Sequence, residues 1–214
     1  MASRNISNII DFYRYIVRKE RGVFVTTDQI CANLDAGQMD CFEDYFRQYG
    51  QTQEIHDAVK PFRVYQPFTT DAAGIITFPS DYLHLLGTIF TVSGSTVNEV
   101  TLYNEDEFLR ALNSQLRPVS LSNPIGRDTA TGISLFPQSQ QTGAYTYLKR
   151  PPTPVYGYTQ VGRAITYNPA TSTQLGWSDA YINNIIARSL FYAGVNMDEQ
   201  GVTQFAQQYT EETK

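Results

Sequence analysis

A histidine a few residues from a carboxylate is the raw material of a general base, because the carboxylate can orient the imidazole and stabilise its protonated form. The chain holds two such pairings, Asp81 with His84 and His56 with Asp57, and these are its only histidines. A base also needs a nucleophile to activate, and neither pairing is accompanied by a serine or cysteine in the strand–turn–helix setting that exposes one. Both histidines therefore read as structural, His84 in an apolar strand and His56 on a short helix. The acidic groups Glu105, Asp106 and Glu107, and Glu43 with Asp44, are the candidates for paired glycosidase carboxylates. The first group sits where a helix opens, a place that favours negative charge on dipole grounds. The second lies on an exposed helix face.

Cys31 and Cys41 are the only cysteines. With two histidines at unrelated spacings they make no zinc signature, and they are too few for a disulfide scaffold. The stretch 132–143 lacks the lysine and the strand–helix context of a phosphate loop. The sequence thus points to no catalytic residue, metal ligand or cofactor, and to a chain that is not an enzyme.

Composition points towards protein contacts instead. Charged residues make up 17% of the 214, while 15 Tyr, 12 Phe and many amides fill the difference. Low charge suits surfaces that are buried against other chains, and aromatic rings anchor such surfaces. The net charge is −5, and the densest basic run, Arg18-Lys19-Glu20-Arg21, falls at a helix C-terminus. Sequence-specific nucleic-acid binding is therefore not expected. The stretch 6–17 is interrupted by Asn8, Asp11 and Arg14, so it is no signal-peptide core, and no run reaches membrane-spanning length. The expectation is a chain folded in a cytoplasm, with no membrane partner.

The elements that would position these residues follow from periodicity. Ile6, Ile9, Ile10, Tyr13 and Val17 recur at helical spacing up to Gly22. Thr26 with Gln29 forms a capping box, and Asp35 with Gln38 repeats the signal, predicting two short helices ending at Gly50. Residues 74–79, 84–92 and 97–103 read as strands, and a helix follows Asn104 with Phe108, Leu109, Leu112 and Leu116 on one side. Residues 117–132 read as a long loop, and 133–136, 144–149 and 155–167 as a meander. Ser178-Asp179 and Asp198-Glu199 open two C-terminal helices, the second with a stripe of Val202, Phe205, Ala206 and Tyr209. Pro79, Ser80 and Asp81 read as a structural turn in which a side chain holds backbone N–H groups. The predicted class is α+β, with helices at both chain ends packing as a bundle and a central antiparallel β region. The whole of 1–214 is expected to be one domain, with helical parts at 3–60 and 177–213 and a β-rich insert at 72–168.

Phe78-Pro79-Ser80-Asp81-Tyr82-Leu83, preceded by a Gly-initiated strand, resembles a segment of the head–tail connector and tail-adaptor proteins of short-tailed bacteriophages. The order of elements is similar too: helices at 26–49, then Lys60-Pro61-Phe62, the β region, and the closing helix pair. The low charge and abundant Tyr, Asn and Gln resemble the crAss-like phages of gut Bacteroidetes in particular. This resemblance implies a structural virion protein of the tail or neck, forming a twelvefold ring with copies of itself. It implies docking on the portal, contacts with further tail or ring proteins, and DNA passing through the lumen without specific binding. A terminal segment grips the portal in such connectors, which assigns that role to Phe205, Gln208, Tyr209 and Glu212. The alternative grip is the loop holding Arg117, Pro124 and Arg127. Two other roles stay open: another tail component such as a tube or nozzle, and a carbohydrate-binding module using Tyr145, Tyr147, Tyr156 and Tyr158.

Overall fold

The computed structural model describes residues 5–22, 24–162, 164–195 and 198–212. The chain divides into two compact units, Met1–Pro61 with Pro151–Lys214, and Phe62–Arg150.

The first unit is built on helices whose ends are written locally. In α1 (Ile6–Arg21) the Asn5 side chain accepts from the Asn8 N–H, and Gly22, at φ 65°, closes the helix by donating to the Arg18 carbonyl. Its stripe from Ile6 to Val17 is buried. Thr26 and Gln29 form the reciprocal capping box that opens α2 (Thr27–Arg47). This helix runs unbroken through Asp35 and Gln38, where the sequence signals a second start. Gln38 is fully buried and its amide is spent elsewhere: it donates to Asp35 Oδ1 and to the Pro152 carbonyl, and accepts from Trp177 Nε1. A capping reading fails there because the side chain satisfies tertiary partners rather than a helix terminus.

The short helix α3 (Gln53–Val59) follows, and α5 (Asp179–Tyr192) and α6 (Glu199–Glu212) complete the unit's helices. The α5 helix crosses α2 at Gly37, where a Cβ would lie 2.8 Å from the Ser189 backbone nitrogen. Only glycine permits so close an approach. Beside the crossing, the Tyr13 hydroxyl donates to the Ser189 carbonyl over 3.0 Å and accepts from Asn33. A two-stranded ribbon, β8 (Tyr158–Val161) with β9 (Ala164–Tyr167), belongs to this unit.

The second unit is a seven-stranded mixed sheet, curled nearly into a barrel. Its strands are β1 (Arg63–Thr69), β2 (Ile75–Thr77), β3 (Tyr82–Ser93), β4 (Thr96–Tyr103), β5 (Ile125–Thr129), β6 (Gly132–Phe136) and β7 (Thr142–Lys149), in the order β1-β7-β3-β4-β5-β6-β2. Its core holds Ile76, Ile89, Val100, Ile133, Leu135, Tyr145 and Tyr147.

The expected class is corrected by this architecture. The helices of the two chain ends do not form a bundle around a central antiparallel sheet. The sheet is mixed because β4 leads into α4 (Glu105–Leu112), and that crossover returns the chain as β5, parallel to β4. The expected loop 117–132 therefore contains a sheet strand, and α4 ends before Leu116. The Asn104 side chain makes no capping bond to α4, nor does Ser178 to α5. The expected strand 155–167 is only an isolated bridge at Val155 and the ribbon β8–β9.

Candidate interaction surfaces

The residues with chemical potential are dispersed among structural partners. His56 stacks on Tyr49 with ring centroids 4.2 Å apart. His84 lies on β3, in register with Leu148 of β7. Asp81 does form part of a turn, with the Tyr82 N–H donating to the Pro79 carbonyl. Its carboxylate, however, accepts from the Tyr147 hydroxyl at 3.0 Å, and its own carbonyl accepts from Arg150. The bond is from side chain to side chain across the sheet, where the local sequence suggests a backbone cap. Ser80 is exposed beside it.

The acidic groups are similarly engaged. Glu105 pairs with Arg127 at 2.6 Å, and Asp44 pairs with Arg188. Burial pushes the Cys31 thiol up, away from a reactive thiolate, and Cys41 is buried. Among the described residues, no three His, Cys, Asp or Glu side chains gather into a set that could hold a metal ion.

The assigned interaction residues fall in two places. Phe205 and Tyr209 pack their rings on Tyr15, at 6.2 and 5.1 Å, and Tyr209 also meets Phe12 at 5.7 Å. Gln208 is exposed on the same helix, and the Glu212 side chain lies outside the described residues. Asp198 opens α6 by accepting from the Gly201 N–H. In the second unit, Arg117 is exposed and Pro124 is buried, its carbonyl accepting from Thr101. Arg127 is held between Glu105 and the face of Phe108, 5.1 Å from the ring centroid. Tyr145 and Tyr147 face the core of the sheet, so they offer no stacking platform. Tyr156 stacks on Tyr167, and Tyr158 is exposed.

What sequence reasoning missed is a set of apolar surfaces without a covering element. The ribbon β8–β9 is the clearest. Val161 is 79% exposed, Ile165 64%, and Tyr158 is exposed as well. No third strand joins the ribbon among the described residues. Its base is tied down, with Tyr167 stacked on Tyr156 and accepting from Gln174. A two-stranded hairpin has no core of its own and is marginal in water. The signal was legible in principle: Val161-Gly162 followed by Ala164-Ile165 is a hairpin turn flanked by apolar residues. A second surface is the outer face of the large sheet. Tyr65 on β1 is 72% exposed, and beyond β7 Phe90 and Val92 on β3 and Val97 on β4 are exposed as well. At the end of α5, Phe191 and Tyr192 are exposed, with the Tyr192 hydroxyl donating to Asp40.

No helix among the described residues is long and apolar enough to cross a membrane. No protein-family model matches the chain, and no curated protein matches it in sequence.

Proposed function

We propose that the chain is a structural virion protein, a head-to-tail connector subunit that forms a ring with copies of itself, docks on a portal and lines part of the DNA channel. The observation that carries an assembling role is the ribbon β8–β9, which exposes apolar side chains on both of its faces, Tyr158 and Ile165 on one and Val161 on the other. Such a ribbon is marginal by itself and gains stability when a further element, such as one from a second chain, covers it. The outer sheet face, where Glu99 stands opposite Phe90, and the Phe191–Tyr192 pair add further exposed aromatic and aliphatic contact area. A ring subunit needs contacts on two flanks and along the axis, which calls for several separate surfaces of this kind. The assignment to a connector rests on the resemblance of residues 78–83 and of the element order. A net charge of −5 suits a channel through which DNA phosphates slide without sticking.

The test is co-assembly. Mixed with the portal ring of the virus that encodes it, the chain should form a closed ring visible by electron microscopy, while alone it should be mainly monomeric. Replacing Val161 and Ile165 by serine should abolish assembly and leave the circular dichroism of the subunit unchanged. A chain that joins no virion component would sink the reading.

A further inference from the structure

The curled sheet has two edges, β1 and β2, and they are finished differently. At β2 the outward groups of Ile75 are taken by its own turn: its N–H donates to Asp71 Oδ1 at 2.8 Å, and its carbonyl accepts from the Asp71 N–H. Strand β1 has no such cover. Its register with β7 continues into a bond from the Thr70 N–H to the Gln141 carbonyl, so every second residue back from Thr70 bonds to β7, namely Phe68, Gln66 and Val64. The backbone groups of Tyr65 and Pro67, and the Arg63 carbonyl, therefore point away from β7. Pro67 has no N–H to offer, and its carbonyl accepts from Gln66 Nε2. The open part of the edge is one short stretch, the Arg63 carbonyl with the N–H and carbonyl of Tyr65.

The ribbon presents the matching half. The Asn168 N–H donates to the Gly157 carbonyl, which fixes the same alternation along β8 and β9. Thr159 and Val161 bond to Thr166 and Ala164, while Ile165 and Tyr167 turn their backbone groups outward. Residues 164–166 are exposed. The β8 edge is less open, since it leads to Tyr156, whose backbone is hydrogen-bonded to the Cys31 thiol of α2. Outward groups two residues apart on β9 thus match outward groups two residues apart on β1.

We propose that β9 of one copy adds to the β1 edge of a second copy as an antiparallel strand, with Tyr65 opposite Ile165 and Arg63 opposite Tyr167. Three backbone hydrogen bonds result: two between Tyr65 and Ile165, and one from the Tyr167 N–H to the Arg63 carbonyl. The exposed Tyr65 ring then lies beside the exposed Ile165 side chain, an aromatic and β-branched pair that stabilises antiparallel strands. The lengths agree as well. In this register β9 begins at Ala164, opposite Gln66, so the ribbon turns away where Pro67 closes the edge. Donor strand and acceptor edge are different surfaces of one chain, so the contact is head-to-tail and repeats from copy to copy. The inference rests on the ring reading and names the joint between neighbours. Four residues of strand cover far less than the roughly 800 Å² per partner of a stable interface. The joint is therefore weak in the free chain and strengthens when a portal aligns the copies.

The experiment is cross-linking on the assembled ring. Full-length Tyr65→Cys and Ile165→Cys are assembled on the portal separately and as a mixture, then treated with a short bis-maleimide. The parent chain, with Cys31 and Cys41, sets the background. The mixture should give a covalent dimer that neither variant gives alone, because the two surfaces meet only between neighbours. The double variant should give a ladder of covalent oligomers. Tyr65→Pro and Ile165→Pro each remove an outward N–H but no bond of either existing ladder. Each should raise the concentration for half-assembly about tenfold or more, with circular dichroism unchanged. Where a proline variant fails to fold, the cross-link alone decides. Rings that form unlinked, folded proline variants that assemble like the parent, a single variant linked to itself above the background, or a double variant linked within one chain each overturn the joint and leave the ring reading standing. A parent chain that joins no portal removes the ring reading, and the joint with it.

Discussion

The Tyr147 hydroxyl donates to Asp81 Oδ1 across 3.0 Å, tying β7 to the turn that opens β3. The same turn is held again by the Arg150 N–H on the Asp81 carbonyl. Asp81 is exposed, so its bond competes with water and contributes modestly. Asp81→Ala and Tyr147→Phe should each lower the stability of the β unit by about 1 kcal/mol. The double variant should cost little more than either alone, because both remove one interaction. Denaturant titrations of the four proteins check this. Full additivity would mean that the two side chains act separately.

The same cluster predicts an alkaline weakness. Burial, and then the neighbouring tyrosines and Asp81, push Tyr145 from 10.0 up to about 12. Burial and the bond to Asp81 push Tyr147 up as well. An acid whose folded pKa is raised stabilises the fold while both states stay protonated. That stability is complete below pH 10 and is lost as the pH rises towards 12, since the unfolded tyrosine ionises first. Tyr145 alone should cost roughly 2 kcal/mol across this window. Tyrosinate absorbance and circular dichroism should therefore change together, and Tyr145→Phe should move the transition to higher pH. An unmoved midpoint would assign the effect to other groups.

Removal of residues 205–214 tests what holds α6. Phe205 and Tyr209 cover Tyr15 and Phe12, and Phe12 is nearly buried. Losing two aromatic contacts should cost about 3 kcal/mol, or roughly 10 °C in Tm for a chain of this size. Gln208→Ala, at an exposed position on the same helix, should leave Tm unchanged. Portal co-sedimentation of this second variant separates gripping from packing. Lost docking with an unchanged Tm gives α6 a direct contact with the portal.

The sequence was most legible where the determinants are local. The stripe from Ile6 to Val17, the Gly22 stop and the Thr26–Gln29 box all act within one turn or one face, and each sits as read. Asp35 and Gln38 carry the same local pattern, yet Gln38 is committed to Pro152 and Trp177, more than a hundred residues away. Strand β1 contains Pro67, which argues against a strand, but it lies at the sheet edge where a missing N–H is tolerated. Strand β5, Ile-Gly-Arg-Asp-Thr, has almost no apolar signal of its own. It is fixed by pairing with β4 and β6. The ring contacts of Phe205 and Tyr209 show the same limit, since an apolar stripe does not say whether its partner lies in the same chain.

The β unit enters and leaves through adjacent strands: Arg63, the first residue of β1, pairs with Leu148 near the end of β7. Neighbouring strands stand about 4.8 Å apart, so the two ends of this unit are within reach of a tight connection. The remainder of the chain can then be regarded as one polypeptide carrying a cassette, gained or lost in a single genetic event without re-routing any helix. A version joining Pro61 to Pro151 through a few glycines and serines would be a minimal helical scaffold. Its ability to fold would show whether the helical unit is stable without the cassette.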